Sequence, residues 1–269
     1  MKIKVFGLLM SMLISMFLVS TVAAEGTTVV YGKVESFTWK EHVAGRKLLE
    51  ESGKLYGIGM LYTNDAKSVL GFKGRAELFG GTVDYDGHVM NILTGELTPS
   101  KTDTSYLGVK LEGDIGYRHT AITNFVVEPF AGLGYHGWRR DIKDSFVPAL
   151  GVTAFGPNEV FHTIYGRLGA RGNYKIAEKT NIFLEGGAKL PIWNKQLAEI
   201  QPGYVVTLKP DRQIAAFAEV GIQHKRLKAS LYYEGVRFGQ SPKVETAIGL
   251  VFQPESKADM FGARVGITF

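Results

Sequence analysis

The sequence predicts an all-β fold, a membrane-spanning antiparallel up-and-down β-barrel of about ten strands. Three observations carry that prediction. Apolar and polar residues alternate with a period of two through segment after segment, the connections between segments are short and long in turn, and the chain opens with an export leader.

The leader is residues 1–24. Lys2 and Lys4 supply a short basic start, Val5 to Val19 is almost wholly apolar, and Val22, Ala23 and Ala24 form an Ala-x-Ala-like site ahead of Glu25. Cleavage is expected after Ala24, leaving 25–269 as one barrel domain. Beyond the leader no stretch approaches the roughly eighteen consecutive apolar residues of a transmembrane helix. Cysteine is absent, so an exported chain must hold itself together by burial and hydrogen bonds. The net charge of +5 includes the two leader lysines, and no concentrated basic stripe argues for nucleic acid.

The strands follow in order. Two less regular segments, Val29 to Lys40 and Leu55 to Tyr62, come first. From Val69, Leu70, Phe72, Ala76 and Leu78 oppose Lys73, Arg75 and Glu77; then Leu107, Val109, Leu111, Ile115 and Tyr117 oppose Lys110, Glu112 and Asp114. Phe125, Val127, Ala131, Leu133 and Tyr135 are set against Glu128 and His136, and Ile164, Leu168, Ala170 and Tyr174 against Arg167 and Arg171. Ile182 to Ile192 faces Glu185 and Lys189, and the next two segments carry Glu219, Gln223 and Glu234 on their polar faces. The last segment sets Phe261, Ala263, Val265, Ile267 and Phe269 against Gly262, Arg264, Gly266 and Thr268. Such alternation predicts strands with one apolar and one polar face, each near the nine to eleven residues that cross a bilayer.

Short turns are expected at Thr63–Lys67, Arg118–Asn124, Lys175–Thr180 and His224–Arg226. Longer links are expected at Glu41–Lys54, Gly81–Thr104, Arg139–Thr163, Trp193–Gln213 and Gly239–Asp259. A soluble barrel also alternates, with its apolar face turned inward. Export, the graded connections and rings near strand ends (Tyr56, Tyr62, Tyr117, Phe125, Tyr135, Tyr165, Tyr174 and Phe269) favour lipid on the apolar side, since they suit interfacial girdles.

In this layout, and in its closing strand with a terminal aromatic, the sequence resembles the bacterial outer-membrane β-barrel proteins, more loosely the small opacity-type and porin-like barrels. The resemblance implies placement in the outer membrane of a Gram-negative bacterium. It also implies that Phe269 is part of the signal read by the barrel-insertion machinery.

With the apolar parity on lipid, the other parity lines the lumen. Lys33, Lys73, Arg75, Lys110, Arg167, Arg171, Lys189 and Arg264 then face Glu35, Glu77, Glu112, Asp114, Glu128, Glu185, Glu219 and Glu234, in equal numbers. Charges in a narrow, poorly solvated space must pair, so the set predicts a salt-bridge network that fills the cylinder. A barrel of about ten strands is close to the size that side chains fill, and far from the sixteen or so of an aqueous porin.

Motifs with chemical potential are few. Asp84, Asp86 and His88 stand close together in "TVDYDGHVMN", but the two-sided carboxylate and histidine arrangement of the ten-stranded omptin proteases needs a partner set on an opposing strand, which is lacking. The stretch lacks the glycine and glutamate spacing of a calcium loop and is expected as a polar turn. "GLGYHG" at Gly132–Gly137 has dinucleotide-fingerprint spacing inside a strand with no following helix. The histidines are scattered, and neither metal nor cofactor is expected. In the first long link, "GRKLLEESGK" is expected to form one or two helical turns.

The chain is therefore expected to be a monomeric, non-enzymatic barrel with outer-membrane lipid as its partner and a structural or surface ligand-binding role through its outer loops. A narrow channel for small solutes is the alternative, and an outer-membrane protease or lipid-modifying enzyme the third reading.

Overall fold

The computed structural model describes residues 26–64, 68–90, 96–247 and 249–269. The leader and its cleavage point at Ala24 and Glu25 lie outside the described residues. Ten principal strands run β1 (Gly26–Val43), β2 (Arg46–Asn64), β3 (Leu70–Met90), β4 (Leu97–Tyr117), β5 (Phe125–Ile142), β6 (Asn158–Ala177), β7 (Thr180–Gln201), β8 (Ala215–His224), β9 (Leu227–Gly239) and β10 (Glu255–Thr268). Each pairs antiparallel with the next. The ring closes between β10 and β1, in register from Val29 opposite Thr268 to His42 opposite Glu255. Phe269 extends that seam, donating its N–H to the Thr28 carbonyl at 2.8 Å. Each of the ten principal strands is thus paired on both sides, as a bilayer requires of a strand that crosses it.

The lower part of the wall is greasy outside. Ile58 on β2, Leu133 on β5, Leu184 on β7 and Leu231 on β9 are each about 60% exposed on the outer surface. Tyr56, Tyr117 and Phe269 sit among the exposed rings, whereas Tyr165, expected in a girdle, is buried and points inward. Its parity is that of Arg167 and Arg171, so the lumen claims it.

Most strands are about twice the expected length, 18 to 22 residues in β1 to β7. The extra length forms a collar above the lipid belt, where the outer face becomes polar with Lys54, Asp84, Asp86, Lys101, Asp103 and Arg139. Several expected loops are therefore strand. "GRKLLEESGK" forms no helix: a tight turn at Ala44 (φ 49°) and Gly45 (φ 79°) sends it straight into β2. "TVDYDGHVMN" is no turn through Met90, but a stretch of β3 laddered to β4. Link Trp193–Gln213 is largely the top of β7 and a return strand, Tyr204–Leu208.

The turns at Lys175–Thr180 and His224–Arg226 are short, as expected, whereas Arg118–Asn124 carries a short strand, His119–Ile122, paired with the start of β5. The turn expected at Thr63–Lys67 lies partly outside the described residues, and the long connections that remain lie at the top. One carries the hairpin Ser145–Val147/Val152–Ala154, another the hairpin Val244–Thr246/Gly249–Val251.

Candidate functional site

The barrel interior is built in layers. In the lower half the inward positions carry ionic side chains, and every residue of the expected network is buried: Lys33, Glu35, Lys73, Arg75, Glu77, Lys110, Glu112, Asp114, Glu128, Arg167, Arg171, Glu185, Lys189, Glu219, Glu234 and Arg264. Pairs form across the lumen as well as between neighbours. Arg75 on β3 reaches Glu219 on β8 at 2.6 Å, Lys110 on β4 reaches Glu234 on β9 at 2.6 Å, and Lys73 on β3 pairs with Glu185 on β7. Arg264 on β10 bridges Glu77 and Glu219, each at 3.1 Å.

Arg167 is the hub on the β6 side. Its guanidinium contacts Glu112 at 2.5 Å, Glu185 at 3.0 Å and Asp114 at 3.6 Å. Arg171 next to it reaches Glu128 at 3.1 Å. Buried in this narrow space, each charge depends on these partners, because an unpaired buried ion is strongly penalised. The void lined by Arg75, Glu112, Arg167, Lys189, Tyr232 and Arg264 has a volume of about 10 Å³, the margin for one water molecule.

Tyrosines stitch the network to the wall. Tyr165 donates to Glu112 at 2.9 Å and Tyr31 to Glu77 at 2.7 Å, while Tyr232 donates to Glu35. These rings lie flat because glycine stands beneath them. A Cβ at Gly134 would overlap the Tyr165 ring, and one at Gly59 the Tyr31 ring.

Above the ions comes a layer of rings that the sequence reading missed. Trp39 on β1, Trp138 on β5, Phe161 on β6 and Phe238 on β9 converge at the centre. Trp138 stacks on Phe161 with centroids 4.9 Å apart and planes at 7°, and Phe161 lies 5.8 Å from Phe238. Such packed rings add about 0.5–1.5 kcal/mol per pair beyond the area they bury. The signal was available in the parity: Trp39 keeps step with Lys33 and Glu35, and Phe161 with Arg167.

Asp84, Asp86 and His88 do not enter the lumen. They are exposed on the outer face of β3, where Asp86 pairs with Lys101 at 3.2 Å and the His88 ring meets the Leu48 carbonyl at 2.8 Å. The inward positions of that stretch are Val83, Tyr85 and Gly87. "GLGYHG" lies within β5 and presents no helix terminus to a phosphate.

No protein-family model matches the sequence, and no curated relative matches it. Solved structures do match in shape. The outer membrane protease OmpT from Escherichia coli aligns with a TM-score of 0.62 over 92% of this chain and 97% of its own, at 12% identity. The translocator domain of the autotransporter NalP from Neisseria meningitidis aligns with a TM-score of 0.47, covering 90% of this chain and 89% of its own, at 12% identity. A major outer membrane protein from Thermus thermophilus gives a TM-score of 0.40 at 12% identity, over 88% of this chain and 99% of its own. With its closed ten-strand ring, apolar exterior and charged interior, the chain has the fold of the bacterial outer-membrane β-barrel proteins and sits in the outer membrane.

Proposed function

We propose that this barrel is a sealed scaffold whose role is binding at the cell surface, and that it neither conducts solutes nor turns over a substrate. The observation that carries the reading is the double closure of the lumen, by ion pairs running from wall to wall and by rings meeting above them. Function then falls to the collar and its top connections, since loops on a rigid scaffold are where recognition usually resides. The hairpin between β5 and β6 offers exposed Phe146, Leu150 and Val152 for such contact. The ionic set acts in this reading as a structural plug, and Phe269, 73% exposed at the seam, as the assembly signal. The barrel acts as a monomer, with outer-membrane lipid around it.

The test compares bacteria displaying the parent with bacteria displaying a variant whose Phe146–Phe155 segment is replaced by a Gly-Ser linker. Adhesion to cultured cell monolayers is counted, and proteoliposome swelling is followed in parallel. Loop-dependent adhesion with no swelling in small sugars is expected. Swelling, or peptide or lipid turnover by the purified protein in detergent, would contradict the proposal.

A further inference from the structure

The collar holds a second charged site, and unlike the plug it is not balanced. Arg140 on β5 donates from Nη1 to Glu41 Oε1 on β1 (3.0 Å) and to Glu159 Oε2 on β6 (2.7 Å), and from Nη2 to Glu51 Oε1 on β2 (2.7 Å). All four side chains are buried. From β4, Thr104 Oγ1 donates to Glu51 at 2.9 Å and the Tyr106 hydroxyl donates to the other Glu51 oxygen, and Trp39 Nε1 donates to Glu41 at 2.9 Å. Tyr85 of β3 faces the same group, and Ser256 of β10, level with Glu41, is neutral.

One guanidinium therefore meets three carboxyls. Fully ionised, the site would carry a formal charge of two minus, and the ring layer separates it from the cations of the plug. Buried charge without a counter-charge is strongly unfavourable and favours uptake of a proton.

A loop from the top is fastened to this site. Gln253 Nε2 donates to Glu41 Oε1 at 3.2 Å and to Ser256 Oγ at 2.8 Å. Its own N–H donates to Ser241 Oγ at 2.9 Å, and the Ser241 N–H donates to the Gln253 carbonyl at 2.9 Å. Both residues are 2% exposed. The hairpin between them rests Val244 and Val251 on Ala198, Val206 and Leu208 at the top of β7 and its return strand.

We propose that Arg140, Glu41, Glu51 and Glu159 form a proton-dependent latch: a proton held among the three carboxyls keeps the Gln253-rooted loop shut over the barrel mouth, and its loss frees the loop. When the last proton leaves, the carboxylates repel one another and need water, and the fastening at Glu41 is the point where water enters. The direction follows from Glu159, whose carboxyl burial pushes up to about 7, with Arg140 opposing and Glu41 and Glu51 adding. A carboxyl raised above its ordinary value near 4.5 keeps its proton in the closed form where the open form has released it. Closure is thus most stable below that window and weakens as pH rises through it.

Hydrogen–deuterium exchange of the full chain in detergent micelles tests this, read by mass spectrometry from about pH 5.5 to 8.5 and corrected for intrinsic exchange. Peptides across the Val244–Val251 hairpin are expected to gain about tenfold or more protection at the acid end. Glu159→Gln should hold the loop protected at every pH, and Gln253→Ala should leave it unprotected at every pH, with β8 and β9 unchanged in both. Hairpin exchange in the parent that does not vary with pH would overturn the latch without recourse to any variant. So would a Glu159→Gln protein that keeps the parent's pH dependence.

Discussion

Trp39 and Phe161 stand on opposite walls of the barrel, on the first and sixth strands of a ten-strand ring, and their rings meet with centroids 5.6 Å apart and planes at 63°. A contact of that kind is possible only where the lumen has no free diameter. The two rings thus close the collar in the way that Arg75 and Glu219 close the belt below it.

Phe161→Ala should cost about 3–5 kcal/mol of stability, the usual range for a buried aromatic ring. Because the ion layer stays in place, it should open no path. Urea unfolding in micelles reports the first part and dye leakage from proteoliposomes the second. Leakage from this single variant would show that the ions do not seal.

Arg167→Ala strips a shared partner from Glu112, Glu185 and Asp114. Breaking a buried pair from one side leaves uncompensated charge, so a loss of about 3–5 kcal/mol is expected. Arg167→Ala combined with Glu112→Gln should recover part of it. An additive double variant in the same unfolding assay would argue that the two side chains do not interact.

Gly134 and Gly113 form a matched pair of probes. At Gly134 an added methyl overlaps the Tyr165 ring and pushes its hydroxyl off Glu112, whereas at Gly113, on the outer face, a Cβ meets nothing within 4 Å. Gly134→Ala is expected to destabilise by about 1–3 kcal/mol. Gly113→Ala is expected to be neutral or stabilising by about 0.5–1 kcal/mol, since glycine weakens a strand interior. Equal midpoint shifts in the two would remove the role given to the ring.

The orientation of the wall predicts a contrast in charge tolerance. Leu231→Arg, in the lipid belt of β9, should cost about 2–4 kcal/mol. Asp84→Arg, outward on the collar of β3, should change stability little. Refolding yields into lipid vesicles measure both, and comparable losses would place the belt elsewhere.

How far the sequence could be read depended on where a strand runs through lipid. In the belt, lipid outside and ions inside keep the two faces chemically opposite, so the alternation of Leu107 to Tyr117 against Lys110 to Asp114 gives strand, face and partner at once. The charged set could be listed residue by residue for the same reason, although which cation meets which carboxylate depends on the register around the ring. Above the belt the polarity of the faces inverts. On β2 the outward run Tyr56 and Ile58 is apolar, but a few residues higher the outward side chains are Glu50, Ser52 and Lys54, and the inward ones include Leu49 and Leu55. The period of two continues through this inversion while the greasy face changes sides, so the collar of β2 and β3 read as loop. The same inversion sets the apolar Trp39, Phe161 and Tyr165 on the parity that carries ions lower down, so their inward turn is legible from parity and not from polarity.

A sealed lumen should be silent in planar-bilayer recording of the purified barrel. No steady conductance is predicted for the parent, for Phe161→Ala or for Arg167→Ala taken singly, with resolvable steps only when the ring layer and the ion layer are emptied together. Stable open-channel steps from the parent protein at modest voltage would contradict it.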